Sequence, residues 1–359
     1  MSLYRLGLCN LRGFSSVEIE PSQSLNLLLG SNAAGKTTIL EAIHLLSSAR
    51  SFRSTHLGDL VRHGEQMFQV TASVSAPADR MIHLGIEKSR SGLTLKAAGR
   101  KLNRVSELAA WLPTQVIHPD SHHLVNGGPK QRRRFLDWGL FHVEQFFFPA
   151  WQRYDKALKQ RNATLKLRST PNLERAWDPE LSTMAEKIHE LRKAYLSEYL
   201  KVLPFFAKGL VGEHDFQVDY EPGWDVERPL ADVLLETLPR DKQKGFTCSG
   251  PHRADLVFRL DGRRIQHYVS RGQEKMLVAA LILAQVELFT RRSGRRCVVL
   301  LDDFAAELDS AHQQRLLELL RPMGAQLFLT MVSRGSLKLD QWPDMKTFHV
   351  EHGAITEVV

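Results

Sequence analysis

The sequence predicts an α/β fold: a mostly parallel sheet flanked by helices, interrupted by a long helical arm. Three observations carry this. The apolar run Leu25–Leu29 enters a glycine-bounded turn and then an apolar-periodic helix over 36–48. Near the other end, apolar runs at 297–301 and 326–331 alternate with helical stretches at 271–292 and 309–320. Strands alternating with helices make a parallel sheet. Between these parts, residues 129–245 read as helix rich in Arg, Lys and Glu. The expected division is therefore a head formed by 1–128 and 246–359, with an arm formed by 129–245.

The first segment holds strands at 3–9 and 17–19, then the strand at 25–29, whose lack of a polar break fits burial on both faces. Alternating patterns at 67–74, 81–87 and 93–97 predict a smaller antiparallel sheet. The arm reads as helices over 129–167 and 173–206, turning at Ser169-Thr170-Pro171-Asn172, with a further helix near 230–242. Strands at 252–260 and 264–269 flank the Asp261-Gly262 turn before the α/β pattern resumes.

At 359 residues the chain exceeds one average domain, which suits one large unit carrying an insertion. Its 43% hydrophobic and 25% charged residues are those of a soluble globular protein. Cys9, Cys248 and Cys297 form no C-x-x-C pair and read as buried free thiols of a reducing compartment. No signal-peptide pattern opens the chain. Its longest apolar run, 276–289, contains Gln285 and Glu287 and suits a buried helix rather than a membrane span, so the cytoplasm is expected. A net charge of +8 makes a polyanionic partner plausible.

The strongest motif is Gly30-Ser31-Asn32-Ala33-Ala34-Gly35-Lys36-Thr37, followed by Thr38. It fits G-x-x-x-x-G-K-[ST] between a strand and a helix, the context of a phosphate-binding loop. Gly30 and Gly35 let successive backbone N–H groups face the phosphates. Lys36 is placed to reach the β- and γ-phosphates, and the Thr37 hydroxyl to help hold Mg²⁺. A second motif ends the apolar run 297–301 in Asp302-Asp303. Carboxylates there reach the sheet edge beside the loop: Asp302 for Mg²⁺, Asp303 for the attacking water. Such a pair can also cap a helix. The third motif, Ser270-Arg271-Gly272-Gln273-Glu274, has two readings. Ser270 and Gln273 approximate a capping box; alternatively Ser270, Gly272 and the helix dipole form a second phosphate cradle.

These motifs in this order, with Glu307-Leu308-Asp309 after the acidic pair, resemble the ABC-type ATPase heads of the Rad50 and SMC kind. More narrowly the chain resembles the RecF family of bacterial recombination and repair ATPases. That match is carried by the stretches 8–14, 118–120, 124–129, 132–137, 250–255 and 301–309, and it covers essentially the whole chain. The resemblance implies an ATPase head with a mixed sheet. It implies roles for Gln115 as the Q-loop contact to Mg²⁺ and water, for Asp309 as the D-loop acid, and for Arg12 beside the nucleotide. Two positions depart from the general ABC pattern: Asp303 replaces a glutamate, and Thr330 stands where a switch histidine is expected. Both argue for slow turnover. Heads of this class clamp ATP between two copies packed head to tail, so Ser270 of one would face Lys36 of the other. The family role is DNA repair and replication, including the SOS response. Its partners are double- and single-stranded DNA, the mediators RecR and RecO, and indirectly RecA.

Candidate DNA contacts are Lys130, Arg132, Arg133 and Arg134, with Arg291 and Arg292; residue by residue, a solvated helix face is the safer reading. Aromatics at 146–148, Trp151 and Tyr154 suit a stacking platform or a packed arm base. Two rival functions remain at this level. A transporter ATPase shares the nucleotide motifs but needs a surface for coupling to membrane helices. A DNA clamp gated by ATP would show negligible hydrolysis.

Overall fold

A computed structural model describes residues 2–76, 80–167, 175–303, 309–335 and 337–358, with backbone alone at His267. Along the chain the elements are β1 (Leu3–Leu11), β2 (Phe14–Ile19), β3 (Leu25–Leu29), α1 (Lys36–Ser48), β4 (Met67–Ala76), β5 (Arg80–Ser89), β6 (Gly92–Ala97), β7 (Arg100–Leu102), α2 (Val105–Ala109) and β8 (Thr114–Ile117). There follow α3 (His123–Asn126), α4 (Pro129–Val143), α5 (Phe147–Lys166), α6 (Asp178–Val211), β9 (Phe216–Glu221), α7 (Leu230–Lys244), β10 (Asp255–Leu260), β11 (Arg263–Arg264) and α8 (Arg271–Ser293). The chain closes with β12 (Val298–Leu301), α9 (Ser310–Leu320), β13 (Gln326–Met331), β14 (Lys346–Glu351) and β15 (Ala354–Val358). Two compact units result, Met1–Ser121 with Phe289–Val359, and His122–Leu288.

The first unit is the α/β unit. One sheet has the order β15-β14-β3-β13-β12-β8; its members pair in parallel except the edge strand β15. The other, β2-β1-β4-β5-β6-β7, is antiparallel throughout. Both contribute to one core around α1, where Leu6, Leu8, Phe68 and Leu84 join Ile39, Ile43, Leu300 and Phe328. The central strands are apolar on both faces because both are covered: every residue of β12 and β13 is buried. Gln326 shows how a polar residue is kept there. Its amide accepts from the Leu3 N–H at 2.7 Å and donates to Leu3 O and Ser22 O at 2.8 and 2.7 Å, tying β1 to β13.

The second unit packs α4 to α7 with the small sheet β11-β10-β9. Its core holds two fully buried arginines. Arg161 on α5 donates to Asp178 at the start of α6, to Asp241 on α7 and to Thr247, at 2.7, 2.7 and 2.8 Å. Arg192 on α6 donates to Asp137 on α4 and to Pro251 O, at 2.7 and 2.8 Å. Buried charges of this kind are tolerated only when paired.

Several expectations need correction. The helix expected over 129–167 is two helices, because Glu144 turns to an extended backbone that ends α4. The strand expected at 264–269 stops after Arg264 and continues as a 3-10 turn, and that at 252–260 begins only at Asp255. Cys9 is exposed, not buried: β1 alternates, so Leu8 points inward and Cys9 outward. Cys248 is half-buried and Cys297 buried. The turn expected at 169–172, and the segment 304–308 that includes Glu307 and Leu308, lie outside the described residues. Among the described residues no helix is long and apolar enough to cross a membrane.

Candidate nucleotide site

The C-terminal ends of β3, β13, β12 and β8 open on a cleft of about 880 Å³ within the first unit. Open parallel sheets bind ligands at this edge. Gly30 leaves β3 at φ 154°, and a Cβ there would stand 2.2 Å from Val350 O, so only glycine lets the chain turn beside β14. Gly35, at φ 112°, precedes α1 and packs against the Phe14 ring. It brings no side-chain acceptor to the helix start; the Thr38 N–H turns back to Gly35 O at 2.9 Å, while no side chain caps the N–H groups of Lys36 and Thr37.

Lys36 is 8% exposed, and its ammonium donates to Gly30 O and Ser31 O at 2.7 and 2.8 Å. Burial lowers its pKa, while the nearby Asp303 and Asp302 charges oppose that shift. The residues Ser31 to Thr38 all line the cleft. Thr37 Oγ1 donates to Asp302 Oδ1 at 2.9 Å, and Thr330 Oγ1 donates to the same oxygen at 2.8 Å. Thr330 Oγ1 also accepts the Asp303 N–H at 2.7 Å. Loop, carboxylate pair and Thr330 therefore meet on one wall. Thr37 and Asp302 offer the hard oxygen donors that suit Mg²⁺, so the residues present fit that ion.

Arg12 also lines the cleft, but its guanidinium is engaged by Glu41, at 2.5 and 2.9 Å. The Glu41 side chain is fully buried, and its hydrogen bond raises the pKa of Arg12. Gln115 leads into the His118-Pro119 segment as expected but does not line the cleft. It sits inside β8 opposite Val299, and the cleft is met from that strand by His118, Pro119 and Asp120. The resemblance had marked those three without giving them a role. Phe52, Arg53 and the hairpin residues Glu351, His352 and Gly353 complete the lining, and no sequence pattern had pointed to them.

Asp309 caps α9, accepting the His312 N–H at 2.9 Å, and remains exposed. These bonds to His312 hold its carboxyl below the usual range. In the second unit, the Ser270 N–H donates to Gln273 Oε1 at 3.0 Å and the Gln273 N–H to Ser270 Oγ at 3.3 Å. That is a reciprocal capping box between an exposed serine and a half-buried glutamine.

The basic cluster divides. Arg132 is 4% exposed and forms a two-pronged pair with Asp255 at 2.7 and 2.9 Å, so it is withdrawn as a DNA contact. Arg133 is half-buried and donates to Ala254 O at 2.7 Å. Lys130, Arg134, Arg291 and Arg292 are exposed. The aromatics belong mostly to packing: Phe147 and Tyr154 are buried, Tyr154 OH meets His252 Nδ1 at 2.6 Å, and Trp151 lies under Arg192.

Fold and cleft together define an ABC-type P-loop ATPase head with a helical insertion. The chain belongs to the RecF/RecN/SMC N-terminal domain family, whose model matches residues 2–355. It is 42% identical over 362 residues to the DNA replication and repair protein RecF of Pseudomonas paraeruginosa, covering 99% of this chain and 98% of the relative. It is 37% identical to RecF of Aliivibrio fischeri over 99% of this chain and 100% of that one. A solved structure of the recombination mediator protein RecF with ATP, in the RecFOR pathway, superposes with a TM-score of 0.89 at 26% identity, covering 100% of this chain and 98% of that one. The Smc head domain of Pyrococcus furiosus shares the fold alone, with a TM-score of 0.60 at 16% identity over 99% and 96% of the two chains.

Proposed function

We propose that this chain is an ATP-dependent DNA-binding protein of replication and recombinational repair, in which ATP joins two copies on DNA and slow hydrolysis releases them. The observation that carries the reading is the meeting of Lys36, Thr37, Asp302 and Asp303 in one cleft at the sheet edge. There the N–H groups of 30–37 receive the triphosphate and Lys36 offsets its charge. Thr37 and Asp302 would hold Mg²⁺, which would supply charge neutralisation at the phosphates. Asp303 orients the attacking water. Thr330 has a single hydroxyl proton, already directed at Asp302, which leaves it a weak donor to the γ-phosphate. Asp303 also carries a shorter side chain than glutamate, and both features support slow turnover suited to a switch.

The second half of each site comes from a partner copy through Ser270, Gly272 and Gln273, with Asp309 at the junction. DNA phosphates are met by Lys130, Arg134, Arg291 and Arg292 without base readout. The named pathway of the ATP-bound neighbour supports RecR and RecO as further partners; RecA loading downstream and a cytoplasmic setting follow from the family resemblance alone. Sedimentation of the full chain with ATP and gapped DNA tests this. The expected result is a dimer on DNA with ATP, a monomer without it, and loss of the shift in Lys36→Ala. A monomer under every condition sinks the reading.

A further inference from the structure

The positive charge of this chain is unevenly spread. Residues 80–104 hold seven Lys and Arg against the single acid Glu87, a net +6 where the whole chain carries +8. That stretch is β5, β6 and β7, the last three strands of the antiparallel sheet. Leu95 and Ala97 of β6 face the core, so Lys96 between them points outward and is exposed. The turn from β6 to β7 takes two residues, Ala98 and Gly99, at φ 51° and 75°. It sets Lys101 directly opposite Lys96, with Arg100 beside them and Arg104 just beyond β7. Lys101, Arg100 and Arg104 are exposed as well. No ion pair joins any of these four to another described residue. Like charges facing each other across a ladder, with Cβ atoms about 5 Å apart, destabilise the sheet. The fold gains nothing from Lys96 opposite Lys101; a bound polyanion would.

We propose that the outer face of β6 and β7 binds the phosphate backbone of duplex DNA. The inference rests on the DNA part of the reading above and adds a surface to it. Residues 80–104 include no Phe, Tyr or Trp, so an unpaired base finds no ring to stack on. A duplex needs none, because its backbone offers a charge about every 1.7 Å of its axis and is held by Lys and Arg alone. The surface also stands apart from the nucleotide. The hairpin that brings Arg12, Gly13 and Phe14 to the cleft belongs to β1 and β2, at the other edge of the same sheet. From β2 to β7 is five strand spacings, about 24 Å.

The test is anisotropy of two labelled duplexes of unrelated sequence, titrated with the full chain and ATP over a range of salt. With Lys96→Ala and Lys101→Ala together, the slope of log affinity against log salt should become shallower by about two, equally for both sequences. Lys96→Arg with Lys101→Arg should keep the parent's slope. The alanine protein should melt no earlier than the parent, because the facing charges are gone, and should bind ATP as the parent does. Duplex binding by the alanine protein with the parent's affinity and slope overturns the proposal and leaves the face to an acidic protein surface. If the parent binds neither duplex at low salt, the DNA reading itself fails and this proposal with it.

Discussion

Asp303 holds a left-handed backbone at φ 53°, a conformation that costs a non-glycine residue about 1–2 kcal/mol. The Thr330 hydroxyl holds it there by accepting its N–H, while donating to Asp302. One side chain on β13 thus sets the geometry of both acids at the end of β12. Thr330→Val keeps the shape and removes both bonds, leaving the Asp303 N–H without its partner. Denaturant unfolding should show a loss of about 1–3 kcal/mol, and single-turnover phosphate release should slow. Thr330→Ser should retain both properties; a valine variant with the parent's turnover would refute this role. Lys36, Thr37 and Asp302 were legible in the sequence because each belongs to a contiguous strand-and-turn pattern. The engagement of Thr330 was not, since it depends on β13 lying next to β12 across 27 residues of chain.

Elements whose pattern is local were read correctly for the same reason. The strand Leu25–Leu29 and the helix Lys36–Ser48 have the expected bounds, as does β13. Segments with mixed polarity escaped: β9 alternates half-buried with exposed residues, and β15 is exposed at four of its five positions. The first turns of α4 hide a different difficulty. Lys130, Arg132, Arg133 and Arg134 look alike in sequence, yet the helix turns Arg132 inward to Asp255, whose place on β10 no local pattern reveals. Breaking that buried pair with Arg132→Ala should cost about 3–5 kcal/mol in unfolding free energy. Arg134→Ala, on the exposed face, should cost less than about 0.5 kcal/mol and weaken DNA binding instead. Equal stability of the two variants would contradict this division of labour, and chemical denaturation together with filter binding reads both.

At the scale of the whole molecule, the proposed head-to-tail site includes one residue, Gly272, whose own chain gives it little reason to be glycine. Gly272 sits in the first turn of α8, where alanine is the better helix former. A Cβ at Gly272 would meet nothing within 4 Å. The space that glycine leaves is accounted for if a triphosphate, seated on a second copy's Lys36, approaches this helix start. Two variants then act in characteristic ways. Ser270→Arg leaves the P-loop untouched, so each monomer should still bind ATP while dimer formation is lost. Gly272→Ala should stabilise the isolated chain by about 0.4–1 kcal/mol through reduced freedom of the unfolded state, yet weaken ATP-dependent dimerisation. Stability and assembly moving in opposite directions is the signature of a group selected for its partner. Thermal unfolding without nucleotide gives the first quantity and ultracentrifugation with ATP the second. A Ser270→Arg protein that dimerises normally, or a Gly272→Ala protein that dimerises more tightly, would show that no second copy closes over the nucleotide at this helix.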